Sequence, residues 1–103
     1  MVDVTIGEPV DSLLTVKLQG ETWELNIWAS ASDFGRLREI RSADWAARRS
    51  LAIGTSAGAP VYWATSDDQV TILIGHDDET WDIAVMVPLG AVDEIVSLVK
   101  RYE

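Results

Sequence analysis

The 103-residue sequence predicts an α+β fold: a mostly antiparallel sheet of about five to six strands in hairpins, with helices on one face. Three observations carry this. Short runs of alternating apolar and polar residues follow one another across brief turn-forming stretches, as in hairpins. The period changes to that of a helix only twice, once in the middle and once at the end. Crossover connections are therefore too few for a doubly wound parallel sheet.

Residues 1–12, which include Gly7, Glu8, Pro9 and Asp11, read as an irregular lead-in to one domain spanning 1–103. The lead-in has early acids and neither a basic nor an apolar segment of the kind that opens a secretory signal. "LLTVKLQ" then sets Leu14, Val16 and Leu18 against Thr15, Lys17 and Gln19. After a two-residue turn at Gly20-Glu21, "TWELNIWA" sets Trp23, Leu25 and Ile27 against Glu24, Asn26 and Trp28. In "ASASDFGRLREIR", Phe34, Leu37 and Ile40 recur at helical spacing behind an N-cap expected at Ser32. Gly35 limits that helix to a short one, and "SADWAARR" suits either a second helix or a connection.

"RSLAIG" reads as a strand, "TSAGAP" as a loop, and "VYWAT" as a strand closed by a turn at Ser66-Asp67-Asp68. "QVTILIG" and "TWDIAVMVP" form the clearest pair, joined through His76-Asp77-Asp78-Glu79. Pro88 suits the first turn of a final helix running to about Tyr102, with Leu89, Val92, Ile95, Val96 and Val99 on its buried face.

Alternation in the last two strands assigns Val70, Ile72, Ile74, Trp81, Ile83, Val85 and Val87 to the core. The opposite face then holds Leu73, Ala84 and Met86, with Trp28 or Trp63 nearby, and is less polar than a solvated sheet face. Either the sheet curves enough for the chain to cover this face, or the face is a binding or dimerisation surface. The five tryptophans suit both readings.

The formal charge is −9. Arg36, Arg38, Arg41, Arg48 and Arg49 cluster centrally, whereas no lysine or arginine occurs from Ser50 to Val99. That half carries Asp67, Asp68, Asp77, Asp78, Glu79, Asp82, Asp93 and Glu94, which repel nucleic-acid phosphates and anionic lipid. The acids serve solubility or face a basic partner. The arginines read as the solvent face of a helix, or as a dock for the acidic half of a second copy. Without cysteine there is neither disulfide nor thiolate chemistry, and the expected compartment is the cytoplasm.

No cofactor motif is present. "GTSAGAP" matches no phosphate-binding glycine pattern, and neither Ser56 nor Ser66 sits on a nucleophile elbow. His76 with Asp78 and Asp82 offers at most a weak metal site, and the EF-hand spacing is absent. The expectation is a non-enzymatic inhibitor or immunity-type module covering a basic protein, such as a nuclease toxin, and avoiding nucleic acid and membranes. Asp67, Asp68, Asp77, Asp78, Glu79 and Asp82 would steer and contact that partner, with Trp28 or Trp63 as its apolar anchor. The alternatives are a structural homodimer joined through Leu73, Ala84 and Met86, and a weak divalent-metal or small-ligand binder.

Overall fold

In a computed structural model, which describes residues 2–103, seven strands pair antiparallel in chain order. They are β1 (Asp3–Ile6), β2 (Leu14–Gln19), β3 (Glu24–Ala29), β4 (Leu51–Ser56), β5 (Ala59–Ser66), β6 (Gln69–Gly75) and β7 (Trp81–Pro88). The additional strand is β1, in the segment expected to be irregular. Val2, Val4 and Ile6 alternate there with Asp3 and Thr5, and β1 pairs with β2 from Asp3↔Gln19 to Ile6↔Val16. The Gly-Glu-Pro sequence that follows terminates the strand but does not prevent it.

The β2–β3 hairpin has the expected inward residues, Leu14, Val16, Leu18, Leu25 and Ile27, all buried. Its connection spans Gly20–Trp23 rather than two residues, closed by a hydrogen bond from Gly20 N–H to the Trp23 carbonyl. "TSAGAP" is likewise mostly strand. Ser56 pairs with Ala59 across a tight turn in which Ala57 and Gly58 both have positive φ. Such turns match the twist of the strands they join.

Helix α1 (Ala31–Gly35) continues as a 3-10 segment, Arg36–Ser42. Its cap is Ser30, whose hydroxyl accepts from Asp33 N–H at 3.1 Å; Ser32 lies inside the helix, two residues beyond the true cap. A short 3-10 turn, Trp45–Ala47, resolves the segment before β4, with Asp44 as its cap. Helix α2 (Leu89–Val99) ends in a 3-10 turn at Lys100–Tyr102, and Pro88 is its extended cap rather than its first helical residue.

Phe34, Leu37 and Ile40 from the central helical segment pack with Val92, Ile95 and Val99 of α2 over one face of the sheet. Helix α2 touches β1 as well as β6 and β7. Opposite edges of the sheet therefore approach one helix, and the sheet curls around its helical layer. The joint between the two halves is narrow: β3 and β4 share the single pairing Trp28↔Thr55. Beside it Gly54, at φ +82°, occupies a register shift where a Cβ would lie 2.8 Å from Ile27 and from the Trp28 carbonyl. Among the described residues, no helix is long and apolar enough to cross a membrane.

Candidate functional site

The outer face of the sheet has two characters. Across β2 and β3 it presents Thr15, Lys17, Glu24 and Asn26, with Lys17 and Glu24 paired at 3.9 Å and Glu24 also accepting from Asn26. Across β5–β7 it becomes apolar, because Tyr62↔Leu73↔Ala84 and Ala64↔Thr71↔Met86 lie in register.

A bulge in β7 adds a tryptophan to this surface. Ile74 pairs with Ile83, but the next residue, Gly75, pairs with Trp81, leaving Asp82 unmatched. The extra residue reverses the alternation. Trp81 therefore joins the row of Leu73 and Ala84 on the outer face, contrary to the core position expected from the sequence. Gly75 permits this approach, since a Cβ there would lie 2.4 Å from the Trp81 Cα.

Trp45 reaches the same place from the connection between β3 and β4. Beyond its pairing with β4, strand β5 receives the backbone of residues 43–44 alongside it: Thr65 N–H donates to the Ala43 carbonyl at 2.7 Å, and the Thr65 hydroxyl donates to it at 3.2 Å. Trp45 meets Trp81 edge to face, with ring centroids 6.1 Å apart and planes inclined by 79°. The Arg48 guanidinium lies 5.3 Å from the Trp45 ring centroid, and Arg48 itself is left-handed at φ +58°. Trp45, Trp81, Ala64, Thr71, Leu73 and Ala84 enclose a hollow of about 110 Å³.

This arrangement corrects several expectations. Leu73, assigned to an open dimer face, is only 3% exposed, shielded by the hollow's walls, whereas Ala84 and Met86 are exposed. Trp63 is fully buried and its indole N–H donates to the Ile53 carbonyl at 2.9 Å, so it belongs to the core and cannot anchor a partner. Trp28 is exposed as expected, but it lies at the polar-to-apolar boundary of the outer face. Of the β7 residues assigned to the core, only Val87 is buried. Val85 is partly covered and Ile83 is 51% exposed, because β7 is an outer strand that the helices cover only near its end.

The six acids separate into two groups. Asp67 and Asp68 form the β5–β6 turn, and Asp77, Asp78, Glu79 and Asp82 lie at the other end of β6, about 20 Å away by strand rise. Asp77 is engaged by its own loop. Its carboxylate accepts from Glu79 N–H at 2.8 Å and Thr80 N–H at 2.7 Å. The Glu79 amide chiefly, with help from Thr80 and His76, holds the Asp77 carboxyl below its ordinary range. Asp78 accepts from the Ser50 hydroxyl at 2.9 Å and borders a mixed-charge hollow with Glu39, Arg48 and Arg49. Asp67, Asp68, Glu79 and Asp82 are exposed.

His76, Asp78 and Asp82 do not converge: among the described residues no group of three His, Asp or Glu side chains is placed to hold a metal. The central arginines are partly committed. Arg41 grips Asp93 of α2 through two bonds of 2.9 and 2.8 Å, Arg38 pairs with Glu103, and Arg36 with Asp33. The hydrogen bond from Arg41 holds the Asp93 carboxyl below its ordinary range.

Trp45 is not legible as a site residue in the sequence because its segment has no clear periodicity. Trp81 was misplaced because a single bulge residue inverts the alternation by which it was assigned. The sequence matches no protein-family model, no curated protein and no solved structure.

Proposed function

We propose that this chain is a small acidic binding module without enzymatic activity, of the inhibitor or immunity type, which covers a basic protein such as a nuclease toxin. The observation supporting the reading is the outer face of β5–β7, an apolar surface around Trp81, Ala84 and Met86 with acids at both ends and Arg48 against Trp45 at its margin. From Ser50 to Val99 no lysine or arginine offsets them. An apolar centre within a predominantly acidic rim, broken only beside Asp78 by Arg48 and Arg49, suits a partner that is steered electrostatically and then held by desolvated contacts. Exposed Met86 also favours a homodimer through the same surface, but two copies each carrying −9 would repel one another.

The test begins with capture of a basic protein from the source extract, followed by kinetics with the purified pair. The association rate should fall about tenfold or more from low to high salt. Glu79→Lys with Asp82→Lys should slow association, whereas Met86→Lys should speed dissociation. A salt-independent rate, or twice the monomer mass for the chain alone, removes the reading.

A further inference from the structure

We infer that the basic partner docks by adding an extended segment to the free edge of β7, which lengthens the sheet by one strand. This rests on the proposed function above and specifies how that surface is used.

The two edges of the sheet differ. β1 is four residues long, carries exposed Asp3, and lies against α2. Short, charged or covered edges resist pairing with other chains. β7 is eight residues long, and from Ile83 to Val87 it has no charged side chain. Ile83 and Met86 are 51% and 59% exposed, although they point to opposite faces of the sheet. The strand therefore has apolar side chains on both sides of its free edge. Among the described residues, no hydrogen bond beyond the ladder to β6 involves residues 81–87. Its backbone polar groups on the outer side remain available, the arrangement used when an extended peptide joins a sheet.

The distribution of charge identifies the occupant. Asp77, Asp78, Glu79 and Asp82 lie at the start of β7. Asp67 and Asp68 lie at its end, where Pro88 pairs with Gln69 and Leu89 N–H donates to the Asp68 carbonyl. A complementary strand is apolar or uncharged along its middle and basic at both ends, its cations about 20 Å apart. A second copy of β7 would place these acids opposite their counterparts, so like charge disfavours it. The bulge at Asp82 and the proline at position 88 bound the usable edge to Ile83–Val87.

The probe is a capped peptide in which valine and threonine alternate, with two lysines at each end. Three comparisons accompany it: the same peptide N-methylated at alternate residues, a version with glutamates in place of lysines, and the chain alone at rising concentration. The expected result is binding of the lysine peptide at low salt, with slowed amide exchange within Ile83–Val87. N-methylation should weaken it about tenfold or more, because lost ladder bonds leave backbone groups unpaired. If the N-methylated peptide binds equally, or the amide exchange slowed by the lysine peptide centres on Trp45 and Leu73 while that of β7 is unchanged, strand addition is wrong and the basic-partner reading stands. Equal binding of the glutamate peptide sinks both. Protection of β7 in the chain alone, growing with concentration, makes a second copy the occupant and overturns the inference. Failure of the lysine peptide to bind at low salt also overturns strand addition, while the salt dependence of the captured partner still judges the function separately.

Discussion

Among the side chains, Asp77 illustrates why an acid in a charged loop is not automatically free to meet a partner. Two backbone N–H groups converge on one of its oxygens, so it organises the turn that presents Glu79 and Asp82. Its folded carboxyl titrates below the ordinary range. This contribution is therefore fully present above the unfolded carboxylate's titration and is lost as pH falls through the folded value. The protection of the Glu79 and Thr80 amides, taken relative to the intrinsic exchange rate at each pH, should persist at neutral pH and fall on acidification below the usual carboxylate range. Asp77→Asn, which keeps an accepting oxygen, should remove that acid dependence, while Asp77→Ala should quicken exchange at every pH. The turn-forming sequence offers Asp77 or Asp78 as the acid that bonds the turn's own amides, and the fold assigns that part to Asp77, while Glu79 faces solvent. Trp63 carries a similar lesson: a tryptophan in an alternating strand fits a core or an anchor equally well until its indole N–H is seen to reach Ile53.

Strand β7 shows how one residue can alter the meaning of a whole element. The position and antiparallel pairing of β6 and β7 were legible because Val70, Ile72 and Ile74 repeat at period two beside turn-forming residues. The orientation of Trp81 was not, since the bulge depends on where Gly75 allows the neighbouring backbone to approach. β1 was obscured by the Gly, Glu and Pro that follow it. The cap of α1 is ambiguous in the sequence because Ser30 and Ser32 both carry a capping hydroxyl within two residues of each other. Gly75→Ala should force Trp81 away and cost about 1–3 kcal/mol, as overpacking does. The expected signs are a lowered urea midpoint and loss of the exciton signal between Trp45 and Trp81 in far-UV circular dichroism. Trp45→Phe should remove the same signal without placing a Cβ against the β7 backbone. An unchanged signal in Gly75→Ala would show that the bulge does not depend on this glycine.

For the molecule as a whole, the acid-rich half and the arginine-rich segment are only partly matched. Exposed pairs such as Lys17–Glu24 and Arg36–Asp33 each contribute about 0–1 kcal/mol, and salt weakens them. The net charge of −9 opposes the folded state through self-repulsion, and salt weakens that as well. With eight bases against seventeen acids, repulsion is the larger effect. Added salt should therefore raise the thermal midpoint by a few degrees, although it slows partner association. A falling midpoint would mean that the ion pairs, with Arg41–Asp93 the best aligned among them, outweigh the repulsion.

The uninterrupted order of the seven strands also bears on how the chain reaches its structure. Pairing from β1 to β3 and from β4 to β7 crosses only short connections, so each half can zip up locally. Two events span much greater stretches: the Trp28↔Thr55 joint and the arrival of α2 beside β1. Pulse-labelled amide exchange during refolding should therefore show protection within β1–β3 and within β4–β7 before protection at the Trp28↔Thr55 joint and in α2; simultaneous protection would show that the halves do not form separately.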